Sequence, residues 1–91
     1  MIKINPQKYN LSARTALFKR ANKIIIVLDR KSRIIMKDGR KIVDQSRSIQ
    51  AVEPRISIAV ATSAPVCRKT RTYLNKEGIA LMDLDELSLP G

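Results

Sequence analysis

Apolar and polar positions follow distinct rhythms along this chain, and each rhythm predicts an element. The clearest is "KIIIVLDR", residues 23–30, a continuous β-branched run bounded by charge, which predicts a central strand buried on both faces. "RISIAVATSAP" alternates Ile56, Ile58 and Val60 with Ser57, Ala59 and Ala61, predicting a second central strand whose small-residue face lets a helix pack closely. "IALMDL", residues 79–84, predicts a shorter strand.

Helical spacing occurs in three places. Ser12 is a candidate N-cap with Leu11 as its staple residue; Ala13, Ala16, Leu17 and Ala21 form one face, and Arg14, Lys19 and Arg20 lie on the polar side. Ile42, Ser46, Ile49 and Val52 predict a helix over about residues 40–52, with Asp44, Arg47, Gln50 and Glu53 on its polar side and Pro54 as a stop. Thr62 and Ser63 offer caps for a third helix, with Pro65 in its first turn, then Val66, Thr70, Tyr73, Leu74 and Glu77, and Gly78 beyond its end. Residues 1–10, around Pro6, read as an extended lead-in, and the acidic tail around Asp83, Asp85 and Glu86 as one last turn before Pro90.

Between these elements lies "DRKSRIIMKDGRK", residues 29–41, which alternates Lys31, Arg33, Ile35 and Lys37 with Ser32, Ile34 and Met36. That pattern predicts a half-buried strand, anchored by Ile34 and Met36, with a basic outer face and a turn at Asp38-Gly39. That turn also allows a hairpin to a strand at Lys41–Val43, but the helical spacing that follows takes precedence. The resulting order is α-β-β-α-β-α-β: a single small α/β domain over 1–91, or α+β if the first hairpin dominates, with a three- to four-stranded mixed sheet flanked by helices.

Charge sharpens the functional expectation. Eighteen bases against eight acids leave a net charge of +10 on 91 residues, an excess that favours a polyanionic partner. The expected phosphate contacts are Lys31, Arg33 and Lys37 on the strip, with Arg30, Arg40 and Lys41 at its ends, and the expected partner is duplex DNA or structured RNA. Only Tyr9, Phe18 and Tyr73 are aromatic, which argues against a base-stacking platform. The same basic face also fits an acidic protein partner, as in a regulatory or interaction module. A chain this short leaves homodimerisation open. No apolar run suits a membrane span or signal peptide, so no membrane insertion and a cytoplasmic location are expected.

Catalytic chemistry has little to build on. Histidine is absent, which removes Ser-His-Asp catalysis and a Cys/His zinc site, and Cys67 has no disulfide partner within the chain. Gly39, Gly78 and Gly91 are isolated, so no phosphate-cradling loop is formed, and no cofactor is expected. Thr62, Ser63, Cys67 and Arg68 make a candidate anion site at a strand end and helix start, where a thiol pKa would also be lowered. "TSAPVCRKTRTYLNKEGI" resembles the strand, cysteine turn and helix of the glutaredoxin and thioredoxin-like family; the resemblance places Cys67 as the nucleophile and Thr70 at the resolving position. Few residues follow Gly78 to supply that family's later cis-proline loop, so the likeness is read as shared strand-turn-helix physics. Asp29-Arg30-Lys31 resembles half of the D/E-x-K motif of metal-dependent nucleases, whose upstream acid has no counterpart before Asp29.

Overall fold

A computed structural model of the chain describes residues 2–87. Its elements are β1 (Ile2–Ile4), a 3-10 turn (Pro6–Tyr9), β2 (Ala16–Arg20), β3 (Lys23–Leu28), α1 (Met36–Val52), β4 (Ser57–Thr62), α2 (Arg68–Lys76), β5 (Ala80–Asp83) and a final 3-10 turn (Leu84–Leu87). The five strands lie in chain order, β1-β2-β3-β4-β5. The β1/β2 and β2/β3 pairs are antiparallel, whereas β3/β4 and β4/β5 are parallel and are connected through α1 and α2. The protein is thus a small α/β domain.

The main core lies between the helices and one face of the sheet. Leu17, Ile24, Ile26, Ile58 and Val60 point to that face and meet Ile42, Val43 and Ile49 of α1 and Leu74 of α2. Ile24 and Ile26 are fully buried, each contributing about 1.5–3 kcal/mol relative to an exposed side chain. On the opposite face Ile25, Ala59 and Ala61 are covered by Leu87 of the final turn, with Val27, Met82 and Leu84 around them. The small-residue face of β4 therefore receives the C-terminal turn, while its Ile58 and Val60 face receives the helices.

Several expectations are corrected. Residues 12–21 do not form a helix. Ser12 and Thr15 close a turn, Thr15 N–H donating to Ser12 O at 2.9 Å, and β2 then alternates Leu17 and Lys19 toward the helices with Phe18 and Arg20 away. A face built largely of alanines supplied little apolar area to hold a helix, whereas β2 gains backbone pairing on both sides, from β1 and β3. The lead-in is likewise structured: β1 pairs with β2, and Asn5 caps the first 3-10 turn by accepting from Gln7 N at 3.0 Å.

The basic strip is not a strand. Within residues 29–35 the sheet pattern reduces to a single bridge between Ile34 and Val66, and α1 begins at Met36 rather than near residue 40. Asp38-Gly39 lies inside that helix instead of forming a turn. Asp38 is its third residue and reaches back to accept from Ile35 N at 2.9 Å, where a carboxylate also complements the helix dipole. Gly39 is buried against α2: a Cβ there would stand 2.9 Å from Thr70 Cγ2. The third helix starts at Arg68, so Pro65 precedes it, and Cys67 is its N-cap. The acidic segment does form a turn over Leu84–Leu87, while Pro90 lies outside the described residues. The observed sheet thus has one strand more than the upper expectation, and one helix fewer.

Candidate functional site

The connections leaving β3 and β4 meet at the C-terminal end of the parallel strands. Ile34 N–H donates to Pro65 O at 2.9 Å and Cys67 N–H donates to Ile34 O at 2.9 Å, so the two loops are tied together immediately before α1 and α2. The helices consequently begin side by side, and the Gly39 and Thr70 contact holds their first turns close. Neither start is capped by a side-chain oxygen: the N-caps are Ile35 and Cys67. The positive dipole ends of both helices therefore face the same region.

Cationic side chains surround it. Lys31 and Arg33 are exposed on the first loop, Lys37, Arg40 and Lys41 on the outer side of the first two turns of α1, and Arg68 and Lys69 at the start of α2. Among the described residues none of these seven is in a salt bridge. Arg30 differs, because its guanidinium lies 2.6 Å from Asp38 Oδ2 and it also donates to Arg33 O at 3.3 Å. The Arg30 hydrogen bond, with the Ile35 amide and the charges of Arg30 and Lys37, holds the Asp38 carboxyl below its usual range against the opposing effect of burial. The six basic candidates therefore share one end of the molecule, five as exposed cations and one as part of the helix start.

The anion-site candidates divide. Thr62 Oγ1 accepts from Ala64 N at 3.0 Å within the turn, and Thr62 and Ser63 line a cleft with Arg71, Asp83 and Glu86. Cys67 and Arg68 stand instead at the start of α2. The Thr70 amide, the Thr70 hydroxyl and the Lys69 amide lie where they favour the ionised sulfur, and with Arg33 nearby they lower the thiol pKa although burial opposes them; the hydroxyl has no hydrogen-bond partner in the resting thiol state among the described residues. Comparison with protein-family models, curated proteins and solved structures finds no match.

The nuclease likeness gains no further support. Asp29 and Lys31 are both exposed, and among the described residues no three His, Cys, Asp or Glu side chains gather as a metal site would require. No helix among them is long and apolar enough to cross a membrane. Arg14 is the residue that sequence reasoning misplaced most usefully. Read as the polar side of a helix, it instead lines a cleft with Arg30, Lys41, Ser12 and Gln45. No local spacing links Arg14 to Lys41; only the packing of the 10–15 segment against α1 does. Lys19 and Arg20 do not join it, since Lys19 pairs with Glu53 at the far end of α1 and Arg20 lies on the other face of the sheet.

Proposed function

We infer that the protein binds nucleic-acid phosphates, in duplex DNA or structured RNA, through Lys31, Arg33, Lys37, Arg40 and Lys41. The observation that carries this reading is the gathering of these unpaired exposed cations around two tied helix starts that lack oxygen caps. Backbone N–H groups at helix starts and Lys/Arg side chains are the usual donors to phosphate oxygens. Arg68 and Lys69 extend the same surface. Arg30, bonded to Asp38, is not among the free cations of this surface.

Binding measured by fluorescence anisotropy across a salt series tests this directly. Five phosphate contacts give a log-log salt slope of about −4.5 on B-form DNA, and the Arg33→Ala/Lys37→Ala variant should flatten it by about 2. Weak binding near physiological salt, or a slope indifferent to those substitutions, overturns the proposal. Duplex DNA, single strands and structured RNA are compared in the same series to rank the polymers. A second reading is favoured by Ile35, which is 47% exposed amid the cations. An apolar side chain within a basic surface suits an acidic protein segment with its own apolar residue. That reading gains if nucleic acid fails and an Ile35→Ser variant loses a saturable protein partner.

A further inference from the structure

A cleft of about 500 Å3 opens at the C-terminal end of β3, between the turn that precedes β2 and the first turns of α1. It lies beyond the carboxyl ends of the parallel strands, the end of an open α/β sheet at which ligands bind. Its size falls within the range of small-molecule sites. We propose that it binds a 5′-mononucleotide unit, whose phosphate monoester is held by Arg14, Arg30 and Lys41.

Charge points to the monoester. Arg14, Arg30 and Lys41 come from three separate segments of the chain, and among the described residues the only carboxylate in the lining is Asp38. Asp38 Oδ2 is already engaged by Arg30 and by the Ile35 amide, so the lining keeps a surplus of two positive charges. A phosphate monoester carries about −1.5 to −2 at neutral pH and matches that surplus, while a singly charged diester leaves part of it uncompensated. Arg30 itself is under-used: one of its nitrogens bonds Asp38 and Arg33, but its Nε is buried without a partner among the described residues. An oxyanion that draws the guanidinium into the cleft supplies the missing acceptor. Leu11, Leu28 and Ile42, which share the helix-side face of the sheet, offer apolar surface for a ring. Asn10 and Gln45 supply amides that both donate and accept, as a base edge requires.

This inference goes beyond polymer binding and does not depend on it. The unit has two sources, a free nucleotide or the 5′ end of a strand. Isothermal titration of the full chain at low salt with AMP, GMP, CMP and UMP, each against its nucleoside and against inorganic phosphate, tests the site itself. At least one nucleotide should bind with a Kd near or below about 1 mM, and Arg14→Ala/Lys41→Ala should weaken it by about tenfold or more. Lys3→Ala/Lys23→Ala, which removes equal charge outside the cleft, should leave it within about twofold. Arg14 and Lys41 are exposed, so unchanged far-UV circular dichroism certifies the variant fold. A 5′-phosphorylated oligonucleotide that outbinds its 5′-hydroxyl twin, with the difference erased in Arg14→Ala/Lys41→Ala, identifies the strand end as the source; equal oligonucleotide binding alongside nucleotide binding identifies the free nucleotide. No nucleotide binding at about 5 mM overturns the proposal, as does inorganic phosphate matching every nucleotide or a Kd unmoved by Arg14→Ala/Lys41→Ala. A failed salt series on duplex DNA leaves these outcomes untouched, so the two proposals fail separately.

Discussion

Replacing Gly39 with alanine tests what holds the two helix starts together. In an unobstructed helix interior this change stabilises by about 1 kcal/mol, because glycine carries the larger backbone entropy cost. Here the new Cβ would stand 2.9 Å from Thr70 Cγ2, well inside the roughly 3.5–4.0 Å at which carbon atoms pack. Thr70 is fully buried and β-branched, so its methyl cannot swing aside cheaply. Overpacking of this kind costs about 1–3 kcal/mol, leaving a net destabilisation near 1 kcal/mol. For a domain this size that lowers Tm by about 5 °C. Thr70→Ser removes the obstructing methyl and alone costs about 1 kcal/mol of lost burial. In the Thr70→Ser background Gly39→Ala should therefore reverse sign and stabilise by about 0.5–1 kcal/mol, giving a coupling of about 1–2 kcal/mol. Urea unfolding of all four proteins, followed by far-UV circular dichroism, reads this cycle. If Gly39→Ala stabilises both backgrounds equally, with coupling below about 0.3 kcal/mol, the close approach of α1 and α2 is refuted. The juxtaposition of their positive dipole ends then loses its support as well.

Three further outcomes are expected. Ala21 closes the β2/β3 hairpin at φ +53°, in the left-handed region that costs an L-residue about 1–2 kcal/mol; Ala21→Gly, after its own entropy cost, should stabilise by about 0.5–1 kcal/mol in urea unfolding, and a loss of stability would contradict the strained turn. Iodoacetamide should alkylate Cys67 with a pH midpoint below the ordinary thiol value of 9.0, and Thr70→Val, which removes a buried hydroxyl, should move that midpoint up; a midpoint at or above 9.0 in the native protein sinks the assignment. Burial, with the hydrogen bond to Glu53 and its charge, pushes the Tyr9 phenol up to about 12. The unfolded chain ionises this group near 10, so its contribution to stability is complete below that pH and is lost as pH rises toward 12. Phenolate absorbance should show the late titration in the native protein and its downward shift in Glu53→Gln; coincident curves would remove the coupling.

What could be read from the sequence divides along a physical line. β3 and β4 were legible because each carries its own strand signature: Ile24 through Leu28 is an unbroken apolar run, and Ile56, Ile58 and Val60 alternate with small residues, of which Ser57 at the start of the strand is exposed. The body of α1 was legible from Ile42, Ser46 and Ile49, whose spacing matches the face it buries. β2 was not. Ala13, Ala16 and Ala21, in and around it, satisfy helix and strand alike, and the choice was made by neighbours outside the window, β1 and β3. The start of α1 was hidden for the opposite reason: charges in a loop happened to alternate, and the usual oxygen at an N-cap is replaced by Ile35, leaving the reach-back from Asp38 as the only sign.

That misreading also explains how far the candidate site could be anticipated. The basic composition of residues 29–41 was visible, but a strand would have displayed it as a row, with successive outward side chains about 6.6 Å apart on one edge. The helix start instead gathers Lys37, Arg40 and Lys41 on one exposed face of its first two turns, near the positive end of the helix dipole. Asp38 links fold and site. By receiving both the Ile35 amide and the Arg30 guanidinium, it begins the helix and anchors Arg30 at the wall of the cleft that Arg14 and Lys41 also line. Asp38→Asn should therefore weaken the first turn of α1 and free Arg30 together, so nucleotide affinity and helix stability would change in one variant. An Asp38→Asn protein that kept both would mean that the cations of the cleft are placed by something other than the helix start.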